Sequence, residues 1–272
     1  MPVTERWSRL ATRVLAPNAG PMTLDGTNTY VLRVPGSDGV VIVDPGPSIA
    51  EHQEALRAVG RVELILLTHH HSDHAESAPE FAAAVGAPVR ALDATLCIDA
   101  GPLEDGELID AAGCRIRVVA TPGHTRDSVS FLLPDDQPID APRGAPGHTA
   151  GSVLTGDTIL GRGTTVVAAP DGTLADYLAS LDVLEALGAA LVLPAHGPAL
   201  PDLAAVASEY RDHRVMRLES VVAALRTAGL PASTAPDTIA RVTDLVYPDV
   251  DPSIRYAAEA STAAQLAYLA ER

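Results

Sequence analysis

Thr68-His69-His70-His71-Ser72-Asp73-His74, residues 68–74, follows directly on the run Glu63-Leu64-Ile65-Leu66-Leu67. That continuous apolar run predicts a strand buried on both faces over 63–67. Four groups able to bind a metal, His69, His71, Asp73 and His74, therefore leave one strand end together. Imidazole and carboxylate suit zinc and similar ions. An i, i+2 pair followed by an adjacent pair can aim them at two neighbouring points, so one loop can begin two metal sites. The competing reading, a solvated histidine-rich turn, has to be weighed against the rest of the chain.

Working outward, three more candidate ligands each follow a predicted strand. His124 lies in TPGHT after a strand at 115–120, Asp157 in TGDT after 151–155, and His196 in PAHGP after 191–193. Polar groups gathered at strand ends from distant parts of a chain are how a sandwich builds a site. Further strands are predicted at 29–34 and 40–44, joined as a hairpin by the Gly/Ser/Asp turn at 36–39, and at 128–133. Helices are predicted at 49–59, with Ser48 as its cap, at 76–85, and at 174–187, where Leu174, Leu178, Leu181 and Leu184 recur at helical spacing. Residues 134–151, rich in Pro, Gly and Asp, form a long loop.

Beyond 201 the pattern becomes helical. Pro231, Pro236, Pro248 and Pro252 divide predicted helices at 202–227, 236–245 and 256–271, which three together can bury their own faces. We therefore expect a catalytic domain over 1–201 and a helical subdomain over 202–272. Cys97 and Cys114 are too few for a disulfide framework and read as buried thiols. A formal net charge of −16 disfavours indiscriminate nucleic-acid binding. All 19 basic residues are arginine. Arg211, Arg214, Arg217 and Arg226 read as solvated helix faces paired with Asp212 and Glu219. The opening MPVTERWSRL lacks the apolar stretch of a secretory signal, and the sequence contains no membrane-length apolar run, so a cytoplasmic protein is expected, with no membrane partner.

The constellation His69-x-His71-x-Asp73-His74 with His124, Asp157 and His196 resembles the ligand signature of the metallo-β-lactamase superfamily. The resemblance implies an α+β fold, an αββα sandwich with the site at one sheet edge. By it, His69, His71 and His124 hold one metal, Asp73, His74 and His196 hold a second, and Asp157 bridges them. Two divalent cations, two carboxylates and one hydroxide sum to about +1, which suits an anionic transition state. Asp73 and Asp157 are then the catalytic carboxylates. Two Zn²⁺ per chain are expected, and manganese or iron also fits this donor set. Asp44, in VIVDPG, matches a family position behind the ligands, from which a carboxylate orients them by hydrogen bonding. Of two Pro-Gly-His-Thr copies, the strands flanking His124 favour it over His148 as the third ligand of the first metal. His52 and His213 read as packing or surface residues, and His70 as loop filler able to touch substrate.

GTNTYVL at 26–32, GDTILGRGTTV at 156–166, and HGP followed by YRDHR at 210–214 resemble the β-lactamase-like protein 2 branch, related to glyoxalase II-type thioesterases. That branch pairs the sandwich with a winged-helix-like appendage, here ending at Arg272 without the wing. Thr27, Asn28 and Tyr30, with Arg162, Thr164 and Thr165, are by the resemblance expected near the mouth of the site as substrate contacts. The function expected is hydrolysis of a small ester, thioester or related small-molecule substrate by a hydroxide bridging two zinc ions. The alternative is an endoribonuclease or phosphodiesterase acting on single-stranded RNA. The acidic balance and the missing wing favour the small molecule.

Overall fold

The computed structural model describes residues 3–139 and 151–272. His148 and most of the predicted 134–151 loop lie outside the described residues. Two sheets face one another. The first runs in spatial order β1 (Thr4–Arg6), β2 (Ala11–Leu15), β3 (Asn28–Leu32), β4 (Gly39–Val43), β5 (Arg61–Leu66) and β6 (Val89–Arg90). Its first four strands form an antiparallel meander, and β5 and β6 add in parallel. Helix α1 (Ala50–Arg57) connects β4 to β5, while a short turn of helix, α2 (Ser72–Ala75), and α3 (Ala78–Val85) connect β5 to β6.

The second sheet is built from β7 (Leu108–Ala111), β8 (Cys114–Ala120), β9 (Val129–Leu133), β10 (Ser152–Gly156) and β11 (Leu191–Pro194). Strands β7 to β10 are antiparallel neighbours. Strand β11 lies parallel to β10, after a crossover through α4 (Leu174–Ala186). The chain ends in α5 (Leu203–Ala228), α6 (Pro236–Val246) and α7 (Arg255–Ala270).

The period of two in a strand explains the continuous apolar runs. In β5, Leu64 and Leu66 join the core between the sheets, while Ile65 and the following Leu67 face α1 and α3 beside Leu56 and Phe81. In β9, Val129, Phe131 and Leu133 point inward, and Leu132 meets the layer of Tyr177, Leu181 and Leu203 from α4 and α5. Both sheets are thus covered on both faces, giving four layers, αββα. Val221 and Leu225 of α5 form a small separate core with Val242 of α6 and Leu266 of α7.

Some local expectations change. Ser48 does not cap α1: Ile49 holds the cap position without a side-chain bond, and the Ser48 amide donates to Glu76 Oε2 at 2.9 Å. The predicted helix at 76–85 starts at Ala78, with α2 folded separately before it. Strands β1, β2, β6 and β7 carry no strong apolar signal; β1 is wholly exposed and β6 only two residues long. Among the described residues no helix is long and apolar enough to cross a membrane.

Candidate metal centre

Two sheets supply the site, at one shared edge. The segment leaving β5 carries His69, His71, Asp73 and His74, with the last two on α2. The second sheet contributes His124 from the β8–β9 turn, Asp157 just after β10 and His196 just after β11. The edges are stitched together by the Asn28 amide donating to Ala195 O at 2.7 Å and the Val129 amide donating to Thr68 O at 2.9 Å. Two glycines permit the close approach. A Cβ on Gly123 would sit 2.3 Å from the Tyr177 Cα, at a φ of +136°, and one on Gly156 would sit 2.8 Å from Thr68 Cβ.

Four of the imidazoles have one ring nitrogen committed, which fixes the state of the other. His124 Nδ1 donates to Val166 O at 2.7 Å, and His196 Nδ1 donates to Gly26 O at 3.1 Å. His74 Nδ1 donates to Asp44 Oδ2 at 2.9 Å. His69 Nδ1 donates to Thr68 Oγ1 at 3.0 Å, because that hydroxyl spends its own proton on Asp44 Oδ2 at 2.7 Å. The Thr68 amide also donates to Asp44 Oδ1, at 2.8 Å. One buried carboxylate thus orients two imidazoles, one directly and one through a hydroxyl. Asp44 ends β4 with φ at +53°, a left-handed turn that swings its side chain behind the loop.

The freed nitrogens converge. His69 Nε2 and His124 Nε2 each lie 3.1 Å from His71 Nδ1. Three nitrogens then share at most one proton, an arrangement that repels unless a cation lies among them. Beside them Asp73 Oδ2 lies 3.2 Å from both His74 Nε2 and His196 Nε2. Donor atoms about 2.0–2.1 Å from a tetrahedral zinc lie about 3.3 Å from one another, so both clusters have the edges of a metal site. Asp157 divides between them. Its Oδ1 lies 3.3 Å from His196 Nε2 and 3.7 Å from His74 Nε2, whereas Oδ2 lies 3.6 Å from His124 Nε2. His74 Nε2 and Asp157 Oδ1 are buried with no hydrogen-bond partner. Buried polar atoms without partners are costly, and a cation between them satisfies both. The residues present fit a pair of metal ions.

Electrostatics agree with that fit. Burial holds the His69 imidazole well below its ordinary range, and neighbouring imidazoles add to the effect; the same causes bring His71 to about 4. Both are therefore neutral lone-pair donors at neutral pH. Burial alone would raise the Asp157 and Asp73 carboxyls, but the His74 and His196 imidazoles pull both well below the carboxylate range. Burial alone would lower His196, yet Asp157 and Asp73 hold it up at about 9. The second cluster thus demands positive charge, supplied either by protons or by a cation.

Several predicted contacts have other employment. Asn28 and Tyr30 are buried, with their polar groups bonded within the protein. Asn28 Nδ2 donates to Pro194 O at 2.9 Å and Gly197 O at 3.0 Å, and the Tyr30 hydroxyl donates to Pro194 O at 2.7 Å. They brace the segment that carries His196. Thr27 Oγ1 donates to Asp73 Oδ2 at 3.1 Å, and Thr165 Oγ1 lies 3.1 Å from His124 Nδ1. Arg162 is exposed and paired with Asp25. Thr164 lines a cavity beside the C-terminal helices. His70 is no filler, being held between Asp127 at 2.8 Å and Asp171 at 3.2 Å. His52 is fully buried, 2.9 Å from Thr29 Oγ1, and desolvation brings it to about 4. Arg211 and Arg214 of α5 are not part of a solvated face paired with Asp212 and Glu219, whereas Arg226 is exposed. Arg211 pairs across to Asp182 and Glu185 of α4, while Arg214 is buried and donates to Thr165 O. Sequence reasoning missed Thr68, whose only local signal is its place between a buried strand and the first ligand.

A family model described as the metallo-beta-lactamase superfamily matches residues 22–139. The chain is 30% identical over 277 residues to the beta-lactamase-like protein 2 homolog of Caenorhabditis elegans, covering 93% of this chain and 82% of that protein. It is also 30% identical to the atrochrysone carboxyl ACP thioesterase of Aspergillus chevalieri, over 92% of this chain and 78% of that one. Among solved structures, a metallo-beta-lactamase family protein from Thermus thermophilus superposes with a TM-score of 0.74 at 26% identity, covering 95% of this chain and 92% of that one.

Proposed function

The chain belongs to the metallo-β-lactamase superfamily, and from that premise we propose that it is a metal-dependent hydrolase of small esters or thioesters, holding two zinc ions. The division of the Asp157 oxygens between two clusters of freed imidazole nitrogens carries this reading. One cluster is His69, His71 and His124; the other is Asp73, His74 and His196. Bound there, two divalent cations would supply Lewis acidity and bring the pKa of water towards neutrality.

The residues do the rest. Asp157, ionised and in reach of both clusters, holds them at a fixed separation. Asp44 and Thr68 keep the proton of His74 and of His69 on the far nitrogen, so each offers a lone pair. Asp73 is the more exposed of the two site carboxylates, at 25% against 12% for Asp157. It is the group we assign to take the proton of the attacking water and return it to the leaving oxygen or sulfur. Water adds to the carbonyl carbon, the carbon–sulfur or carbon–oxygen bond breaks, and the leaving group departs protonated. No serine or cysteine nucleophile is required.

The preference for a small molecule over RNA is supported by the formal charge of −16 and by two of the α5 arginines, Arg211 being spent on α4 and Arg214 buried rather than presented on a basic stripe. A relative named as an acyl-carrier thioesterase points the same way. We also take 1–201 as the catalytic unit and 202–272 as a helical appendage, supported by the separate core of α5, α6 and α7. The test is to assay zinc-loaded protein against thioesters, phosphodiesters and single-stranded RNA side by side, with Asp157→Asn as control. Thioester turnover that the control lacks is expected. Cleavage of RNA alone, at a rate the control abolishes, would replace this substrate class.

A further inference from the structure

The YRDHR stretch at 210–214 is only partly explained by the site above. Tyr210 is structural: its hydroxyl accepts from the Leu160 amide at 3.0 Å and donates to Gly163 O at 2.8 Å, clamping the segment after Asp157 to α5. Arg211 is structural too, held by two carboxylates of α4. His213, Arg214 and, one turn on, Arg217 are different. All three line a cavity of about 220 Å³ between residues 164–166 and the helices α5 and α7, with Tyr247, Val250 and Ile254 on its apolar side.

Arg211 shows how this acidic chain treats an arginine it needs only for packing: it gives the guanidinium carboxylates. Arg214 and Arg217 have no ion pair among the described residues, in a chain with 35 acidic side chains. Arg214 is only 5% exposed. Its Nη2 donates to Thr165 O and its guanidinium carbon lies 4.9 Å from the Tyr177 ring centre, but its buried Nε has no acceptor. His213 Nδ1 is likewise buried without a partner. Arg217 stacks 4.9 Å over the Tyr247 ring, which leaves its N–H edge unspent. Burial first, and then the charges of Arg214 and Arg217, hold His213 below its ordinary range. A buried cation without a counter-charge is destabilising, so the fold keeps this one for a purpose outside its own packing.

The location supplies the purpose. Residues 165 and 166, one wall of the cavity, hold His124 Nδ1 on their other side, at 3.1 Å from Thr165 Oγ1 and 2.7 Å from Val166 O. One strip of backbone therefore separates the cationic cavity from a metal-ligand imidazole. We infer that His213, Arg214 and Arg217 form a subsite for an acidic group, a carboxylate or phosphate, at the far end of an apolar substrate arm whose ester or thioester is cut at the metal centre. Guanidinium forks match the two or three oxygens of such groups, and Val250 and Ile254 suit the aliphatic arm. The inference rests on the hydrolase reading above and narrows its substrate to an acidic acyl compound.

Two thioesters with one leaving group, glutaryl and its neutral monomethyl ester, separate the subsite from the hydrolase reading. On the zinc-loaded protein we expect kcat/KM at least about tenfold higher for the glutaryl compound, about 1.4 kcal/mol. In Arg217→Met and His213→Asn that ratio should fall towards one. Arg214→Met risks the fold, so the proposal does not depend on it. Glutarate binding, measured by calorimetry on wild type and Arg217→Met with metals loaded in both, gives a second readout that needs no turnover. Loss of most of the affinity in Arg217→Met supports the subsite even if neither thioester is cut, in which case it is the hydrolase reading that fails. Equal ratios and equal glutarate affinities in wild type and variants overturn the subsite while leaving the hydrolase intact. Arg217-dependent binding of single-stranded RNA in preference to glutarate overturns the small-molecule assignment.

Discussion

Asp44→Asn is the most informative single change, because it keeps shape and removes charge at the residue that orients two ligands. Asp44 accepts from Thr68 N at 2.8 Å, Thr68 Oγ1 at 2.7 Å and His74 Nδ1 at 2.9 Å. An asparagine cannot accept all three. With its amide nitrogen towards Thr68 N, two donors face each other. With it turned the other way, the Thr68 hydroxyl must accept, its proton turns to His69 Nδ1, and the imidazole proton moves to Nε2, where a ligand lone pair should be. A buried donor left unsatisfied costs about 1–3 kcal/mol, which is about 5- to 150-fold in affinity; carboxylates behind metal-bound histidines typically carry about 10- to 100-fold. We expect metal affinity to fall within that range, most at the cluster of His74. Thr68→Val breaks only the His69 relay and should weaken the three-imidazole cluster alone. Zinc titration against a chromophoric chelator gives both affinities, and cobalt spectra distinguish the carboxylate-containing cluster from the other. Affinities within about twofold of wild type in both variants would refute the relay.

Other outcomes follow from the same geometry. Tyr30→Phe, losing a buried bond to Pro194 O, should cost about 1 kcal/mol of stability with KM unchanged; a raised KM at unchanged stability would return Tyr30 to the substrate. In chelator-treated protein, His196 contributes stability that is full below its ordinary 6.5 and lost as pH rises through about 9. Asp73 and Asp157 contribute stability that is present above their ordinary 3.8 and lost as pH falls through their depressed folded values. Denaturation midpoints should therefore decline on the alkaline side without metal and hold there with zinc; parallel profiles would contradict the competition between proton and cation. Gly123→Ala forces a Cβ to 2.3 Å from the Tyr177 Cα, and the overpacking alone should cost about 1–3 kcal/mol, read from a urea transition. An unshifted transition would mean that the turn carrying His124 gives way freely.

The candidate ligands were legible as a cluster because each is a polar residue set against the end of an apolar strand, a contrast visible over a few positions. His124 and Asp157 needed only their own flanks. The four-layer fold was legible for a similar reason, since runs such as 63–67 and 129–133 are apolar at odd and even positions alike. What was hidden is what depends on distance in sequence. Thr68 matters because Asp44, 24 residues earlier, lies beneath it. The resemblance placed Asn28 and Tyr30 near the mouth of the site, and what no local signal shows is that carbonyls more than 160 positions away accept from them. Arg214 looked like its exposed neighbours on α5, and only the packing of α4 against that helix separates them.

Each candidate metal cluster takes its donors from both sheets: His69 and His71 with His124 across the gap, Asp73 and His74 with His196. Cations bound there would act as rivets through a seam. Backbone bonds such as Asn28 N to Ala195 O and Val34 N to Ala112 O tie the two sheets at points, but most of the contact between them is side chain on side chain, which can shear by small steps. A rivet at one edge permits rotation about itself and forbids translation. With ions bound, motion of one sheet over the other should pivot at this edge and be largest at the opposite strand ends, near the β3–β4 and β7–β8 turns. Without them the layers gain the freedom to slip. Amide exchange at the strand ends beside His69, His124 and His196 would then quicken on chelation, while exchange at the far rim would change little.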